Sequence, residues 1–346
     1  MKASQTLCWA TFALILGAGS LFAAESPPGS APPYPPSPVI KSIRFAPAPE
    51  IVSIGYGDNW SLTWADDDCI YAAFDDGWGF APRTIKKLSV GYAKIMGTPP
   101  NIRGEQIPSP TGEKYGDGAN GLKASGMLMV DGVLYMWLRN VVKNSQLAWS
   151  DDHAKTWQYG LKLTTSFGCP TFLNFGKNYD GARDDYVYVY SQDGPNAYDI
   201  FDGVALARVP KTKIRERAAY QFFAGLDEQG KPRWSDDIMK RRATFAFPNH
   251  CQRLDVAYDP GIKRYLMGIG YNHAGGWGMY DAPEPWGPWT TVFHTERWDC
   301  GDTFYYRVPT KWIGKDGKEL YLFFCAIGGD RRYYSFSVRK VAFDLE

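Results

Sequence analysis

Short runs of aromatic and β-branched residues, separated by Gly, Asp, Asn and Pro, extend from Val39 to the end of the chain. Such runs predict β-strands that are joined by tight turns. A 3.6-residue hydrophobic period is nearly absent, and the one candidate helix covers residues 210–223, where a proline precedes a run of mixed charge. The pattern therefore predicts an all-β fold with one helical insertion.

One two-strand pattern recurs five times: a short strand, a turn that contains Asp or Gly, and an aromatic-rich strand with a tyrosine near its start. The five tyrosines are Tyr71, Tyr135, Tyr188, Tyr265 and Tyr321. Every interval between them leaves room for two further strands, and four-stranded units that repeat around an axis form a β-propeller. The repeat predicts a five-bladed β-propeller with four-stranded antiparallel blades. The alternative is a β-sandwich with coincidental hairpins.

Residues 150–157 resemble the Asp box of sialidase-like propellers, with Ala154 in place of the usual glycine. Asp152 and Thr156 would satisfy the backbone of a turn between outer strands, and Trp157 would pack inward. The motif therefore indicates a propeller blade and has no predicted catalytic role.

The amino-terminal segment has the pattern of an export signal. A basic residue, an apolar core and a pair of small residues predict a signal peptide over residues 1–24, and an uncleaved anchor is the alternative. Residues 25–38 form a Pro-rich linker that favours extended chain, and the propeller domain is expected to cover residues 39–346. We expect a secreted or periplasmic protein with no membrane span after signal cleavage.

The formal net charge is +1 and the charge runs are short, which argues against nucleic acid or an anionic membrane surface as a partner. Five cysteines follow the predicted signal peptide: Cys69, Cys169, Cys251, Cys300 and Cys325. None forms a C-x-x-C pair, so no zinc or redox motif is predicted. Up to two disulfides are possible, and their pairing stays open. We expect no metal, no cofactor and a monomer.

In a propeller, the start of the first strand and the end of the second strand of each blade lie at the same end of the central channel. The residues at these positions are polar, charged and aromatic, as in a concave binding site. The candidate catalytic residues are Asp58, Asp76 and Asp193. The candidate substrate-binding residues are Asn59, Trp78, Arg139, Asn140, His250, Arg253, Tyr271, His273 and Arg307.

The carboxylates at this end could hydrolyse a glycoside, which requires one carboxylic acid and one carboxylate that acts as base or nucleophile. Asp58 and Asp76 are the preferred pair, and Asp193 is held in reserve. Because side chains alternate along a strand, only one of Asp75 and Asp76 is expected to face the channel. Which residue is the acid and which the base stays open.

Two other functions are compatible with the same residues. The arginines at positions 139, 253 and 307 occupy matching places in three repeats, and converging guanidinium groups would suit a carboxylate-bearing sugar. His250, His273 or Tyr271 could then act as base and acid in β-elimination at a uronate. The alternatives to a hydrolase are thus a polysaccharide lyase and a non-catalytic sugar-binding propeller.

Residues 57–68, 74–80, 281–289 and 335–340 resemble a group of secreted bacterial propellers known as domain of unknown function 4185. The resemblance covers most of residues 50–346. It implies a propeller that is similar to glycoside hydrolases: some relatives are implied to act on arabinan-type glycans, and many have no known activity. For this chain we expect a plant, algal or bacterial polysaccharide or oligosaccharide as the substrate. Five-bladed hydrolases of the arabinanase and xylosidase clan are also similar in plan, but their local motifs match only at Asp58. Their catalytic residues are therefore not transferred.

Overall fold

The structure is a computed structural model that describes residues 30–141, 144–272, 274–326 and 334–346. The predicted signal peptide and His273 lie outside the described residues. Within them, no helix has the length and apolar character needed to cross a membrane. Packing begins before residue 39, since Tyr34 contacts Phe245 at a ring-centroid distance of 5.0 Å and Ser37 donates to the carbonyl of Thr291.

The described residues form an all-β fold, which confirms the predicted class. The strands are β1 (Ile40–Phe45), β2 (Val52–Ile54), β3 (Tyr56–Trp64), β4 (Ile70–Gly79), β5 (Leu88–Thr98), β6 (Asn101–Ile107), β7 (Lys123–Val130), β8 (Val133–Val141), β9 (Asn144–Ser150), β10 (Gln158–Leu163), β11 (Thr171–Asn174), β12 (Tyr186–Gln192), β13 (Phe201–Pro210), β14 (Gln221–Leu226), β15 (Pro232–Ser235), β16 (Ala243–Cys251), β17 (Leu254–Asp259), β18 (Arg264–Gly270), β19 (Trp277–Ala282), β20 (Thr290–Thr295), β21 (Thr303–Arg307), β22 (Glu319–Ala326) and β23 (Phe336–Leu345). Short 3₁₀ turns occupy Ala48–Glu50, Gly118–Asn120, Lys177–Tyr179, Lys211–Lys213, Arg217–Ala219, Ile238–Lys240 and Thr310–Trp312.

The strands form four sheets. One contains β3 to β6 and another β7 to β10, each in sequence order. The ten-stranded sheet consists of an antiparallel group around β11–β15 and a second group, β17–β20, and the parallel pair β11–β17 joins them. In the last sheet β1 pairs with β23, so the first described strand completes the sheet of the last.

Two predictions about elements are wrong. The helix predicted over residues 210–223 is absent: β13 ends at Pro210, two 3₁₀ turns follow, and β14 begins at Gln221. The charged run there has no apolar stripe to bury, and only Ile214 and Tyr220 of the connecting segment are fully buried. The hairpin pattern before Tyr321 predicts the first strand of the fifth repeat over residues 309–313. The strand is instead Thr303–Arg307, because Pro309, which lacks an N–H, leads into a 3₁₀ turn.

Large aromatic residues fill the spaces between neighbouring sheets. Trp60 of β3, for example, packs against Phe74 and Phe336 with ring centroids 5.0 and 5.4 Å apart. Trp157 stacks on Tyr92 at 5.0 Å. Burying one such side chain stabilises the fold by about 1.5–3 kcal/mol, so the sheets form a rigid scaffold for the strand ends described next.

Candidate functional site

The candidate site is centred on irregular ends of the strand pairs β3–β4, β7–β8 and β21–β22. Pairing of β3 with β4 shifts after Asp58, which lies opposite Asp75, and the β7–β8 and β21–β22 pairs shift register near their corresponding ends. Such bulges re-aim side chains. Asn59, Asp76 and Tyr305 all have positive φ, of 45°, 42° and 56°, which is uncommon for residues other than glycine. The local backbone is thus bent to direct polar side chains to one place.

Asp75 is fully buried and holds two sheets together. Its carboxylate accepts hydrogen bonds from Asn59 Nδ2 at 2.7 Å, the Ala124 N–H at 2.8 Å and Arg139 Nη2 at 3.0 Å. Burial raises the pKa of Asp75 to about 7, against the opposing effect of Arg139. Because all three donors belong to the protein, we assign Asp75 a structural role beside the site.

Asp76 also contacts the neighbouring sheet, so both adjacent aspartates lie on the same side of β4, where regular alternation would place only one. Its carboxylate lies 2.5 Å from Lys123 Nζ and 3.3 Å from Lys87 Nζ. The positive φ of Asp76 breaks the alternation of side chains. Lys123 is only 1% exposed, and its buried ammonium group stabilises the negative charge of Asp76.

Asp58 differs from both neighbours. It is partly exposed, and its Oδ1 is buried without a hydrogen-bond partner among the described residues. Burial raises the pKa of Asp58, and the negative charge of Asp76 raises it further, while Arg139, Arg253 and Lys123 oppose the shift. Asp58 therefore keeps its proton to a higher pH than an ordinary aspartate, and it lies near Asp76, which is paired with two lysines.

Two of the three predicted arginines bind carboxylates of the protein itself. Arg139 pairs with Asp75, and Arg307, 2% exposed, pairs with Asp255 at 2.7 Å. Arg307 also donates to Asn59 Oδ1 at 2.9 Å, so the Asn59 amide is engaged inside the protein on both its atoms. Arg253 donates through Nε to the Ala197 carbonyl at 3.0 Å.

Tyr198 covers this group from the loop between β12 and β13. Its ring lies 5.6 Å from the guanidinium carbon of Arg139 and 5.8 Å from that of Arg253, and Asn140 Nδ2 donates to its hydroxyl at 2.8 Å. We call the group of strand ends that carries Asp58, Asp76, Arg139 and Arg253 the mouth. Sequence reasoning missed Tyr198, because its loop of Gly, Pro and Asn carries no strand pattern that would place it there.

Asp193 has other partners. Its Oδ1 accepts from Ser166 Oγ at 2.6 Å and from Arg241 Nε at 2.7 Å, and none of its described contacts involves Asp58 or Asp76. The structure therefore brings together the preferred pair and leaves the reserve residue in a separate ion pair.

His250 and Tyr271 belong to another network, near β16 and β20. His250 Nε2 lies 3.2 Å from Glu296 Oε1, and Tyr271 Oη lies 2.9 Å from His294 Nδ1 and 2.6 Å from Tyr280 Oη. Burial raises the pKa of Tyr271 strongly. Glu296 and His294 were missed because His294 lies in the outer strand β20 and Glu296 directly follows it, away from the predicted inner strand ends.

A cleft of about 390 Å³ opens beside Asp76. Its lining residues are Tyr56, Gly57, Asp76, Trp78, Arg83, Lys87 and Tyr334. The Trp78 ring is fixed by a 2.8 Å hydrogen bond from Nε1 to the Ile85 carbonyl, and Arg83 lies 3.7 Å over the ring of Tyr56. Trp78 was predicted from the sequence, and Tyr56 and Arg83 were not.

The described residues contain no group of three or more His, Cys, Asp or Glu side chains arranged to hold a metal ion. All five cysteines in them are free thiols.

Comparison with known proteins supports the fold. The family profile described as domain of unknown function (DUF4185) matches residues 123–329, and no curated protein matches the sequence. A Bacteroides ovatus protein whose hydrolase activity is inferred is 14% identical, with 83% of this chain and 86% of that chain covered and a TM-score of 0.53. The RS223 β-xylosidase is 15% identical, with coverage of 84% and 92% and a TM-score of 0.50. At such identities the likeness shows a shared propeller-like fold.

Proposed function

The chain belongs to the DUF4185 family, and from the site on its strand ends we propose that it is a secreted glycoside hydrolase built on a five-bladed propeller. The blade count is supported by the sheets: the ten-stranded sheet divides at the parallel β11–β17 pair into two antiparallel groups, which join three further sheets. The signal pattern over residues 1–24 supports secretion.

The observation that carries the proposal is the unequal pair of Asp58 and Asp76. Asp58 has a raised pKa and is assigned as the general acid that protonates the leaving oxygen. Asp76 is ion-paired with two lysines and is assigned as the base or nucleophile. Glycoside hydrolysis requires one carboxylic acid and one carboxylate that acts as base or nucleophile, and the different surroundings of Asp58 and Asp76 suit these two roles.

The cleft beside Asp76 supports a carbohydrate as the substrate. Trp78 and Tyr56 offer aromatic faces on which sugar rings can stack, and a cleft of about 390 Å³ is large enough to hold part of an oligosaccharide. Xylosides and arabinofuranosides are the first substrates to try, because a β-xylosidase shares the fold and the sequence resembles arabinan-degrading propellers.

Two of the predicted arginines favour hydrolysis over elimination, because each already binds a carboxylate of the protein. A lyase would use them to bind the carboxylate of a uronate, whereas Arg139 and Arg307 hold Asp75 and Asp255. Their charge is thus largely compensated inside the protein.

Digestion of a panel of plant, algal and bacterial glycans, with mass analysis of the products, tests the function. We expect fragments whose summed mass exceeds that of the substrate by one water molecule for each bond cleaved. Fragments that absorb as unsaturated uronates would instead identify a lyase. Tight binding on the panel without any fragment would identify a non-catalytic sugar-binding protein, and either result contradicts the proposal.

Replacing Trp78 by alanine is expected to raise KM for an oligosaccharide by about tenfold, because one stacking surface is lost. The value for a short aryl glycoside should change less. Trp64→Ala is the matched control, since Trp64 lies at the other end of β3 and its Nε1 donates to Asp68. Equal KM values in the wild type and Trp78→Ala would show that the substrate does not bind in the cleft.

A further inference from the structure

Asp58 Oδ1, Arg139 Nη1 and Tyr305 Oη are buried without a hydrogen-bond partner among the described residues. Arg307 Nε is a further such atom, but both terminal nitrogens of Arg307 are bonded. Asp76 Oδ1 and Lys123 Nζ, which also lack a hydrogen bond, contact each other as an ion pair. Most buried polar groups in proteins are satisfied, and each one that is not costs stability. Asp58 is explained by its proposed role as acid. Arg139 and Tyr305 have no such explanation, although both are almost fully buried, at 3% and 2% exposure.

Tyr305 is held in place by an unusual backbone. It is the bulged residue of β21, between Phe304 and Tyr306, and it adopts a φ of 56°. A tyrosine with positive φ is strained, and such strain is found mainly where the structure must fix a side chain. Its ring lies 4.9 Å from the guanidinium carbon of Arg253 and 5.3 Å from that of Arg307, so cations clamp the phenol ring.

Arg139 and Tyr305 belong to one cluster. The ring of Tyr198 lies 5.6 Å from the guanidinium carbon of Arg139 and 5.8 Å from that of Arg253, which in turn lies 4.9 Å from the ring of Tyr305. Arg139 interacts electrostatically with both the Tyr305 hydroxyl and Asp58, which places the three polar ends near one another. Burial raises the pKa of Tyr305 well above its usual value, so the phenol keeps its proton. Arg139 and Tyr305 thus each carry a hydrogen-bond donor without a partner among the described residues, and the charge of Arg139 acts on the proposed acid.

We propose that Arg139 Nη1 and Tyr305 Oη donate hydrogen bonds to one hydroxyl oxygen of the sugar ring that is bound next to Asp58. This inference rests on the proposed function and adds Tyr305 to it as a substrate-binding residue. A sugar hydroxyl suits the pair because its oxygen accepts two hydrogen bonds while its proton remains free for an acceptor. Asp75 already compensates the charge of Arg139, so a neutral group fits better than a carboxylate.

Melting curves of two phenylalanine variants test the inference without any substrate. Tyr305→Phe is expected to melt at or above the temperature of the wild type, because it removes a hydroxyl that has no partner. Tyr306→Phe is the matched control in the next position, and it should melt lower, because the Tyr306 hydroxyl bonds to Thr303. A Tyr305→Phe protein that melts as low as the control would show that this phenol is structural and would overturn the inference.

Kinetics with p-nitrophenyl α-arabinofuranoside and p-nitrophenyl β-xyloside test the contact itself. Tyr305→Phe should lower kcat/KM by about tenfold or more on whichever glycoside is hydrolysed. The oxygen of the sugar hydroxyl then accepts one hydrogen bond, from Arg139, in place of two. A monodeoxy analogue that lacks the bound hydroxyl should react equally with both proteins. Unchanged kcat/KM in Tyr305→Phe overturns the inference.

If the wild type hydrolyses neither glycoside, the proposed function fails on these substrates and calorimetric binding of arabinotriose and xylotriose replaces the kinetics. Weaker binding by Tyr305→Phe supports the contact, and equal binding overturns it. A loss of affinity confined to tri-galacturonate would show that a carboxylate occupies the place assigned to the hydroxyl. The melting comparison uses no substrate, so it tests the inference whether or not the proposed function is correct.

Discussion

Asp58→Asn and Asp76→Asn will each lower kcat on the hydrolysed glycan by about 10³-fold or more. An amide has nearly the shape of a carboxyl group but can neither deliver nor accept the proton at this step, and general acid–base catalysis contributes about 10²–10⁴-fold. Asp131→Asn is the control, because Asp131 is exposed in the turn at the opposite end of β7. Activity retained in both mouth variants would contradict the assigned roles.

Folding of the two variants must be compared, because their surroundings differ. Asp58 Oδ1 has no partner in the described protein, so Asp58→Asn should unfold at the same temperature as the wild type or above it. Asp76→Asn leaves the buried ammonium group of Lys123 without its closest anion, which is costly. The double variant Asp76→Asn with Lys123→Met restores the charge balance and should be folded and inactive.

The pH profile gives an independent check on the same assignment. The acid must be protonated, and the pKa of Asp58 is raised by burial and by Asp76. Activity should therefore be present below that raised pKa and decline as the pH rises through it. Any residual activity of Asp58→Asn should lack this alkaline decline. A decline that persists unchanged in the variant would assign the titration to another group.

The strands of the inner hairpins could be predicted because their signal is local. Alternating apolar residues on either side of a Gly- or Asp-containing turn define β7–β8 around Asp131 and β17–β18 around residues 259–263. The same logic placed Asp58 and Asp76 at neighbouring strand ends. The pairing of β1 with β23 joins Ile40 to Leu345, and no local pattern announces a contact over that distance.

The details of the site could not be predicted because they depend on bulges. A period-two pattern assumes regular pleating, whereas Asp76 and Tyr305 have positive φ and depart from it. The alternation rule therefore turned one of the two adjacent aspartates away from the channel, and it gave no role to Tyr305. Lys123, which is paired with Asp76, shows the same limit, since a buried lysine has no signature in the sequence.

Arg307→Met is expected to lower the free energy of unfolding by about 3–5 kcal/mol, the usual cost of leaving one member of a buried ion pair alone. Arg307 donates to Asp255 at 2.7 Å, to Asn59 Oδ1 at 2.9 Å and to the Ser125 carbonyl at 3.2 Å. It thereby connects β21 to β17, β3 and β7. Denaturant unfolding of the variant measures the loss, and a change below about 1 kcal/mol would contradict this central role.

The pH dependence of that loss separates the ion pair from simple packing. Burial raises the pKa of Asp255 to about 6 even beside Arg307, and without the arginine the pKa should rise further. In Arg307→Met, the folded state then binds a proton that the unfolded state has lost above a pH of about 4. The stability of the variant should fall as the pH increases from there to the raised pKa. Adding Asp255→Asn to the variant should remove this pH dependence of the stability. It should also recover stability at neutral pH, because no buried charge then remains. A defect due only to lost packing would instead persist with the same size at every pH.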